Sequence, residues 1–559
     1  MASSSAYHSN FPPLPGALPP ALACPVGLNF VSNLTKEDPV AEEFSLSFVP
    51  PATKVPFSTD ELAKGVLDWG SSLIASEILS EFNGNPNKKY FCAKLDLRKA
   101  FNTVSRDFIL NRLTLKGFPD IFVSWIKGCI SDVHFSVNVN GALEGFFPSS
   151  SGLRQGCPLS PLLFSVVMDS FSCEIDDSNF EGIISGNISV KHLLYADDIL
   201  VIGKASLANA NSLKSLLSKL AEHTGLCINN AKCSILYSKN TPLATQITSL
   251  LGFFNAEDIR GAVIPKGVYK YIDKLCSKFL FYGSVDGKKL HLVAWKNTCL
   301  PKCFGGLGLP AFEALRFGFN CSFIWRFYTS PSLLAAWFKA KFISPWKTAP
   351  SMASKFWKSI CLTAAKIQGN IQFHIASHDC KFSFFWDPWC NASAVATFRP
   401  PSTSPYLEVM ECIHDGSWLI PSYLDQSIYG FILNIPISDN PPAPISWRGN
   451  FKPCFKAFVM HFYEDRHKVS WYTFVWHRNY ALRFSSFVWL AMVDGLKTAD
   501  VLAKRNIFIP SLCPFCRASE ESISHLFFQC EFSFLVISFL LPSLQNFLLR
   551  PTIIQIFNV

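Results

Sequence analysis

The feature that most constrains the fold is a pair of adjacent aspartates, Asp197 and Asp198, set between two short apolar runs. Residues 193–196 and 199–202 each match the pattern of a buried strand, and the acidic pair between them matches a tight turn. The segment is therefore predicted to form a β-hairpin with two carboxylates at its tip. Because neighbouring like charges repel and add nothing to a core, two interpretations stay open: a solvated turn, or a site where a cation neutralises the pair.

A third carboxylate ends another apolar strand. Asp96 lies near the end of a strand predicted over residues 90–97, in the sequence Lys94-Leu-Asp-Leu-Arg-Lys-Ala-Phe101. Carboxylate oxygens are preferred ligands of Mg²⁺, and two such ions ~3.5–4 Å apart activate a hydroxyl and stabilise leaving pyrophosphate in phosphoryl transfer. If the three aspartates share a metal pair, their carboxyl groups should lie within about 7 Å of one another.

The segment between these strands combines glycine, proline and hydrogen-bond donors. It reads Gly152-Leu-Arg-Gln-Gly-Cys-Pro-Leu-Ser-Pro161. Its two glycines permit a close backbone approach to a ligand, and its prolines fix the entry to a helix whose N-terminus favours anionic groups. Arg154 and Gln155 supply donors beside Gly156. The alternative is an ordinary loop that precedes a helix.

These three segments, in this order, resemble the A, B and C motifs of reverse transcriptases. Their wording is similar to that of plant non-LTR (LINE-type) retrotransposon proteins. The stretch Gly225-Leu-Cys-Ile-Asn-Asn-Ala-Lys232 resembles motif D of the same family. Four motifs at this spacing make a specific pattern. The resemblance implies an RNA-directed DNA polymerase that acts on an RNA template and a DNA primer with dNTPs.

The resemblance also implies roles for individual residues. Asp96, Asp197 and Asp198 are expected to hold Mg²⁺ (or Mn²⁺). Phe101 is expected to lie below the incoming sugar and to exclude a 2′-hydroxyl by its bulk. Lys232 is expected to approach the triphosphate or the leaving group as a general acid. Contacts with template or nucleotide are expected from Arg154, Gln155, Gly156 and Tyr195.

A second constellation lies near the end of the chain. Cys513, Cys516, His525 and Cys530 follow the spacing C-x2-C-x8-H-x4-C. Four such ligands suit a closed, tetrahedral Zn²⁺ site with a structural role. The alternative is a set of buried thiols beside a core histidine. The segment resembles the zinc-binding domain that follows these reverse transcriptases, a module expected to bind nucleic acid or, because its flank is apolar, to pack against protein.

Composition bounds the setting of the chain. The net charge is +9, which fits a polyanionic partner without requiring one. The first 30 residues contain no Lys or Arg and lack a secretory pattern, so we expect an intracellular protein, in the nucleus or cytoplasm, whose 19 cysteines are free thiols or metal ligands. We expect no membrane span, because no apolar run reaches ~18–20 residues. The longest candidate, residues 532–541, is predicted to be a buried helix.

The fold class expected is α+β, with a reverse-transcriptase-type palm built on an antiparallel sheet with packed helices. A mainly helical region and a small zinc-binding module are expected to follow it. Two further landmarks, residues 302–309 and Phe385-Trp-Asp-Pro-Trp389, are predicted to serve packing and turns. The predicted segments are an N-terminal tail or remnant (1–84), the palm (85–255), a thumb- or connection-like helical region (256–380), a loop-rich linker region (381–465) and the zinc-binding domain (466–545).

The resemblance is incomplete. It implies a fingers segment before Asp96 and a primer grip and thumb after Phe253, and neither is found in the sequence. Endonuclease and RNase H segments are not found either. Because catalysis depends on positioning as much as on metal ions, polymerase activity is expected to be impaired. Two alternatives follow: a catalytically inactive retroelement-derived nucleic-acid-binding protein, or a zinc-stabilised interaction module.

Overall fold

The computed structural model describes residues 69–82, 89–195, 197–256, 266–284, 293–309, 311–376, 380–398, 406–424, 426–438 and 441–540, with residues 542 and 550. Most of the predicted N-terminal tail and Ala196 of the acidic turn lie outside these ranges. Helices and strands are mixed along the described chain, as the α+β expectation requires.

The strands of the first region are β1 (Tyr90–Asp96), β2 (His134–Val139), β3 (Ala142–Pro148), β4 (Ile183–Ser185), β5 (Ile188–Val190), β6 (His192–Tyr195), β7 (Asp198–Lys204), β8 (Ser234–Tyr237) and β9 (Phe254–Asn255). Five of them form the central sheet, in the order β6-β7-β1-β8-β9. Strand β1 pairs antiparallel with β7 and with β8, and β6 pairs antiparallel with β7. The antiparallel pairing predicted around the acidic turn is therefore confirmed, although the two-residue outer strand β9 joins β8 in parallel.

Helices cover one face of this sheet. Phe91, Ala93 and Leu95 alternate along β1 toward that face, as period-two strand geometry requires, and they share a buried core with the helices that follow. Two of these helices, Arg106–Leu115 and Leu207–Thr224, are each preceded by a capping serine, Ser105 and Ser206 respectively. Each serine hydroxyl accepts a hydrogen bond from a backbone N–H of the first turn, which fixes where the helix begins. On this face lie α2 (Ala100–Thr103), α3 (Arg106–Leu115), α4 (Asp120–Ile130), α5 (Leu159–Asp177), α6 (Leu207–Thr224) and α7 (Ala244–Leu251), whereas α1 (Trp69–Glu81) lies on the opposite face.

The opposite face of the sheet is covered at one end only. Cys92 and Ile202 belong to a second buried cluster, which also contains Ile78 of α1 and Trp337 from far along the chain. The contact is reinforced by an ion pair between buried Glu77 and Lys341, whose Oε1 and Nζ atoms lie 2.7 Å apart. At the other end of this face, where β1 ends, Lys94 and Asp198 are exposed, and half-buried Asp96 lies beside them.

An aromatic core organises the region after the sheet. Its helices are α8 (Lys266–Tyr282), α9 (Trp295–Thr298), α10 (Phe312–Thr329), α11 (Leu333–Phe342), α12 (Lys355–Ile367), α13 (Val395–Phe398), α14 (Gln426–Leu433) and α15 (Phe455–His461). Short strands accompany them: β10 (Ile371–Phe373), β11 (Ile413–His414), β12 (Ser417–Trp418) and β13 (Ile445–Trp447). Trp357 stacks on Phe342 with ring centroids 4.4 Å apart. The Phe385–Trp389 landmark is part of this core: buried Asp387 accepts hydrogen bonds from the Tyr328 hydroxyl (2.5 Å) and the Ser383 amide (2.7 Å).

The last described region packs on the 302–309 landmark. Val469 N–H donates to the Cys303 carbonyl (2.9 Å), and Trp489 Nε1–H donates to the Gly305 carbonyl (2.9 Å). Both landmarks therefore serve packing, as predicted. The helices here are α16 (Tyr472–Val475), α17 (Leu482–Met492), α18 (Ala499–Ala503) and α19 (Glu531–Leu540), with a π-helical turn over His525–Gln529.

The prediction for residues 532–541 is half correct. A helix does form there, but its burial was predicted wrongly: Leu535 is 73% exposed and Phe539 is 83% exposed. Ile537 is partly buried against a small core. The described neighbours of this helix therefore cover only part of its apolar surface. Within the described ranges, no helix has both the length and the apolar character needed to cross a membrane. All eighteen cysteines in those ranges are free.

Candidate functional site

The strand register brings Asp96 and Asp198 together. The two residues are direct partners across the antiparallel pair β1–β7, a position in which Cα atoms lie about 4.5–5.5 Å apart and side chains share one face. Asp197 lies in the turn immediately before Asp198, and both residues are exposed. Among the described residues, the cysteine–histidine cluster is the only group of three or more His, Cys, Asp or Glu side chains close enough together to hold a metal ion. Convergence of all three carboxylates therefore stays a prediction.

Lys94 adds a cation to this face. It lies two residues before Asp96 in β1, so both side chains point to the same side of the sheet. Its Nζ lies 3.5 Å from Oδ1 of Asp198, and both side chains are about half exposed or more. The ammonium group partly offsets the negative charge of the acidic pair. Sequence reasoning did not assign Lys94 a role, although its spacing from Asp96 in a strand was visible.

The predicted motif D segment is fixed to the end of β1. Asn229 N–H donates to the Asp96 carbonyl (2.8 Å), and Asp96 N–H donates to Cys233 Sγ (3.2 Å). Burial raises the pKa of the Cys233 thiol, so the sulfur stays a neutral acceptor. Lys232 lies in the turn closed by its own N–H and the Asn229 carbonyl (2.9 Å), and its side chain is exposed. Its role toward a triphosphate stays a prediction.

The loop before α5 packs tightly on the residues after β1. Gly152 has a φ of +78°, and a Cβ built there would lie 2.5 Å from the carbonyl oxygens of Phe101 and Asn102. The close approach expected of this glycine is thus to the chain's own backbone rather than to a ligand. Gly156 also has a positive φ, +83°, but no atom lies within 4 Å of the Cβ position. Only Gly156 leaves room for an approaching molecule.

Arg106 holds this loop in place, and sequence reasoning missed it. Its guanidinium donates to the carbonyls of Ser149 (2.8 Å) and Gly152 (2.9 Å) and to the Ser149 hydroxyl (2.7 Å). The planar fork of arginine suits several acceptors at once, which a lysine could not satisfy. The acceptors lie 43 and 46 positions away along the chain, so no local pattern indicated them.

A cavity of about 370 Å³ opens between this loop, the α2–α3 segment and the β2–β3 hairpin. Arg154 and Gln155 line it together with Asn102, Arg106 and Phe135. Phe101 immediately precedes Asn102 in the chain and stacks on Phe164, with ring centroids 4.8 Å apart. The structure thus places Phe101, Arg154 and Gln155, three of the predicted contact residues, in or next to this cavity. The side chain of Tyr195 lies outside the described part of the structure.

The four predicted zinc ligands converge. Their donor atoms all lie within 4.8 Å of one another, with 4.0 Å between the sulfurs of Cys513 and Cys530 and 3.2 Å between Cys516 Sγ and His525 Nε2. A tetrahedral site with Zn–S bonds of ~2.3 Å places sulfurs roughly 3.5–4 Å apart. Cys513 and Cys530 are fully buried. The convergence was predicted from spacing and is confirmed, whereas metal binding itself stays a prediction.

The pKa values of two of these thiols, Cys513 and Cys530, are shifted in opposite directions. Burial raises the pKa of the Cys513 thiol, although amides of Cys516 and Phe515 oppose that shift. Burial also acts on Cys530, but amides of Phe532 and Ser533 at the beginning of α19, with the neighbouring thiols, lower its pKa below the ordinary value. Helix N-termini favour thiolate in this way. A thiolate is the form that binds a metal ion.

Comparison with known proteins agrees with the two constellations. Residues 53–278 match a family model of reverse transcriptase (RNA-dependent DNA polymerase). Residues 453–536 match a second family model, zinc-binding in reverse transcriptase. The first match contains all three aspartates and the second contains all four Cys/His residues. Over these two stretches the chain is therefore similar to reverse transcriptases and to the zinc-binding segment found in them.

Curated relatives match parts of the chain. The Pol polyprotein of a type-1 R2 retrotransposable element from Popillia japonica is 30% identical over 147 residues, which cover 26% of this chain and 24% of the relative. The R2DM polyprotein of Drosophila melanogaster is 30% identical over 155 residues, 27% of this chain and 14% of the relative. A putative ribonuclease H protein of Arabidopsis thaliana is 20% identical over 292 residues, 48% and 47% respectively. The matches thus span about a quarter or less of the R2 proteins.

Among solved structures, telomerase of Candida albicans in complex with a telomeric RNA fragment matches at 13% identity with a TM-score of 0.27. The likeness covers 33% of this chain and 32% of the telomerase chain. Apo telomerase of Candida tropicalis matches with the same TM-score at 12% identity and covers 38% of that chain.

Proposed function

We propose that the chain is an RNA-directed DNA polymerase of a LINE-type retroelement that uses two metal ions on an RNA template, a DNA primer and dNTPs. The observation that carries the proposal is the register of Asp96 against Asp198 on the open end of the sheet. Neither aspartate serves the core, and the reverse-transcriptase match spans both. We also propose that turnover is impaired, because the sequence shows no recognisable fingers segment before Asp96 and no recognisable primer grip after Phe253.

The residues present fit a pair of Mg²⁺ ions, because Asp96 ends β1, Asp198 begins the adjacent strand β7, and Asp197 lies in the turn between β6 and β7. When bound there, such ions lower the pKa of the primer 3′-hydroxyl and neutralise the leaving pyrophosphate. Asp96, Asp197 and Asp198 are the proposed ligands. Lys94 stabilises the acidic pair when no metal is bound, and a divalent ion competes with it for Asp198.

The remaining roles belong to the cavity and its surroundings. Gln155 and Arg154 donate hydrogen bonds toward template and nucleotide, and Gly156 leaves the backbone accessible beside them. Phe101, held by its stacking on Phe164, limits the space at the sugar. Lys232 serves as general acid for the leaving group. The four converging Cys/His side chains hold one Zn²⁺, which stabilises the last module rather than taking part in the reaction.

Primer extension on poly(rA)/oligo(dT) tests the proposal. The purified chain should extend the primer with dTTP and Mg²⁺, and both Asp197→Asn and Asp198→Asn should lower the rate by at least about 100-fold. Asp415→Asn is the matched control: Asp415 is exposed and has a φ of +49°, a conformation that Asn accepts readily. Its rate should equal that of the unaltered chain.

Two results would favour the alternatives. If no extension occurs but nucleic acid still binds with log K falling by about 0.7 per phosphate contact against log salt, the chain is a nucleic-acid-binding protein without polymerase activity. If binding is absent or insensitive to salt, the interaction-module interpretation gains support. Extension that survives both aspartate substitutions would remove these residues from catalysis.

A further inference from the structure

An exposed surface of the zinc-binding module combines aromatic rings with arginines. We call it the aromatic–arginine face and define it by Arg478, Arg483, Phe484 and Phe487. It lies on α17 and on the segment that precedes this helix. Neither the metal cluster nor the acidic site uses any of these four residues.

Both rings of this face are largely exposed. Phe484 is 69% exposed and Phe487 is 54% exposed. On α17, Arg483, Phe484 and Phe487 fall within about 100° of the helix circumference at 100° per residue. The opposite side of α17 is buried through Ser485 and Trp489. The face is therefore the outer side of a docked helix rather than an unfolded edge.

The cations of this face have no acidic partners in the described structure. Arg478 and Arg483 are both exposed, and no ion pair or hydrogen bond of their side chains occurs among the described residues. Between residues 466 and 493 the chain contains four Lys or Arg residues and no Asp or Glu. The surface thus presents positive charge that its own neighbourhood does not neutralise.

The 302–305 stretch anchors both elements of the face. Lys302 Nζ lies 4.7 Å and 4.8 Å from the ring centroids of Trp476 and Tyr480, and it donates a hydrogen bond to the Tyr480 hydroxyl (3.3 Å). Trp489 of α17 donates to the Gly305 carbonyl. The segment around Arg478 and the helix with Arg483 are therefore fixed before any ligand arrives, which lowers the entropic cost of binding.

We propose that the aromatic–arginine face binds single-stranded nucleic acid, with bases stacked on Phe484 and Phe487 and phosphates paired with Arg478 and Arg483. Stacking platforms flanked by cations are how proteins bind single strands without sequence preference. An apolar protein partner would not need two unpaired arginines beside the rings. The proposal rests on the proposed function for the identity of the strand, which is RNA template or newly made DNA.

Fluorescence anisotropy of a labelled oligo(dT) or oligo(rA) of roughly 20 nucleotides with the full chain, without dNTPs, tests the proposal. The double substitution Phe484→Ala/Phe487→Ala should weaken binding by at least about 30-fold and leave the salt slope unchanged. The double substitution Arg478→Ala/Arg483→Ala should reduce the magnitude of the slope of log K against log salt by about 1.4, or 0.7 for each phosphate that no longer pairs with an arginine. Duplex of equal length should respond less to the phenylalanine change.

Tyr406→Ala and Lys366→Ala are matched controls, because both residues are exposed and lie in the aromatic region outside the module. Phe484→Leu/Phe487→Leu keeps apolar bulk but removes stacking, and zinc content and melting temperature verify that each variant folds. Unchanged single-strand affinity in both double variants would overturn the proposal. So would loss of self-association in sedimentation without loss of nucleic-acid binding, because the face would then join copies of the chain. Repeating the titration with Asp197→Asn separates binding from polymerisation.

Discussion

Replacing one zinc ligand should unfold the last module selectively. Cys513→Ser removes a fully buried sulfur from the cluster of four. The small core beside the cluster contains only four buried apolar residues among those described: Ala491, Val501, Ile523 and Phe528. Burying a large apolar side chain contributes about 1.5–3 kcal/mol, whereas structural Zn²⁺ contributes about 10–16 kcal/mol in zinc-finger peptides. The metal therefore outweighs the local core.

Cys412→Ser is the matched control. Cys412 is also a buried thiol, 1% exposed, but it lies in the aromatic core and outside the cluster. Both substitutions bury a hydroxyl in place of a sulfur, which costs about 1–3 kcal/mol. Only Cys513→Ser should lose the metal as well, so the difference between the two variants isolates the contribution of zinc.

The measurement is zinc content by mass spectrometry together with thermal unfolding followed by tryptophan fluorescence, to which Trp471, Trp476 and Trp489 report from the module. The unaltered chain and Cys412→Ser should contain about one zinc each, and a chelator should lower the melting temperature of the module in both. Cys513→Ser should contain little zinc and ignore the chelator. Equal zinc content in all three proteins, or an unaltered chain without zinc, would refute the reasoning and make these cysteines ordinary buried thiols.

Three further outcomes follow from the described contacts. Burial raises the pKa of Asp387 to about 6. A carboxyl group with a raised pKa in the folded state stabilises the fold at low pH, and this stabilisation is lost as the pH rises through that pKa. The free energy of urea unfolding should therefore fall by about 3 kcal/mol between about pH 4 and pH 7, and Asp387→Asn should flatten this pH dependence. Lys341→Met should cost about 3–5 kcal/mol because it leaves buried Glu77 without this counter-charge, and most of the loss should return in Glu77→Gln/Lys341→Met. Arg106→Lys should speed hydrogen exchange over residues 149–156 and raise the KM for dNTP more than it lowers kcat. If the exchange rates match those of the unaltered chain, the loop does not need the hydrogen bonds of Arg106 to keep its conformation.

Local pattern was enough to predict the elements that carry the acidic site. Strand β1 and the hairpin β6–β7 are short apolar runs bounded by polar residues, and a strand needs little more than that to be recognised. The observed bounds, Tyr90–Asp96 for β1 and Asp198–Lys204 for β7, lie close to the predicted ones. The C-x2-C-x8-H-x4-C spacing likewise predicted the convergence of four donor atoms, because short loops allow only a few closed geometries.

Local sequence patterns could not predict the hydrogen bonds that charged and polar side chains form with residues far away along the chain. Arg106 bonds a loop 43 to 46 residues away, and Lys302 meets Tyr480 at a separation of 178 residues. A sequence shows that a side chain can donate, but not which distant acceptor the fold will bring within hydrogen-bonding distance. The same limit explains α19, whose apolar residues predicted burial that the structure does not provide.

The sequence by itself determined which residues can perform chemistry: three carboxylates at strand ends and four soft ligands at zinc spacing. Tertiary structure alone decided what surrounds them. One face of the sheet packs on α3, α5 and α6, and the other is covered at one end by α1 and α11, so the end with Asp96 and Asp198 stays open. The physical reason is that periodicity marks which side of a strand is apolar, while burial depends on which distant element arrives to cover it.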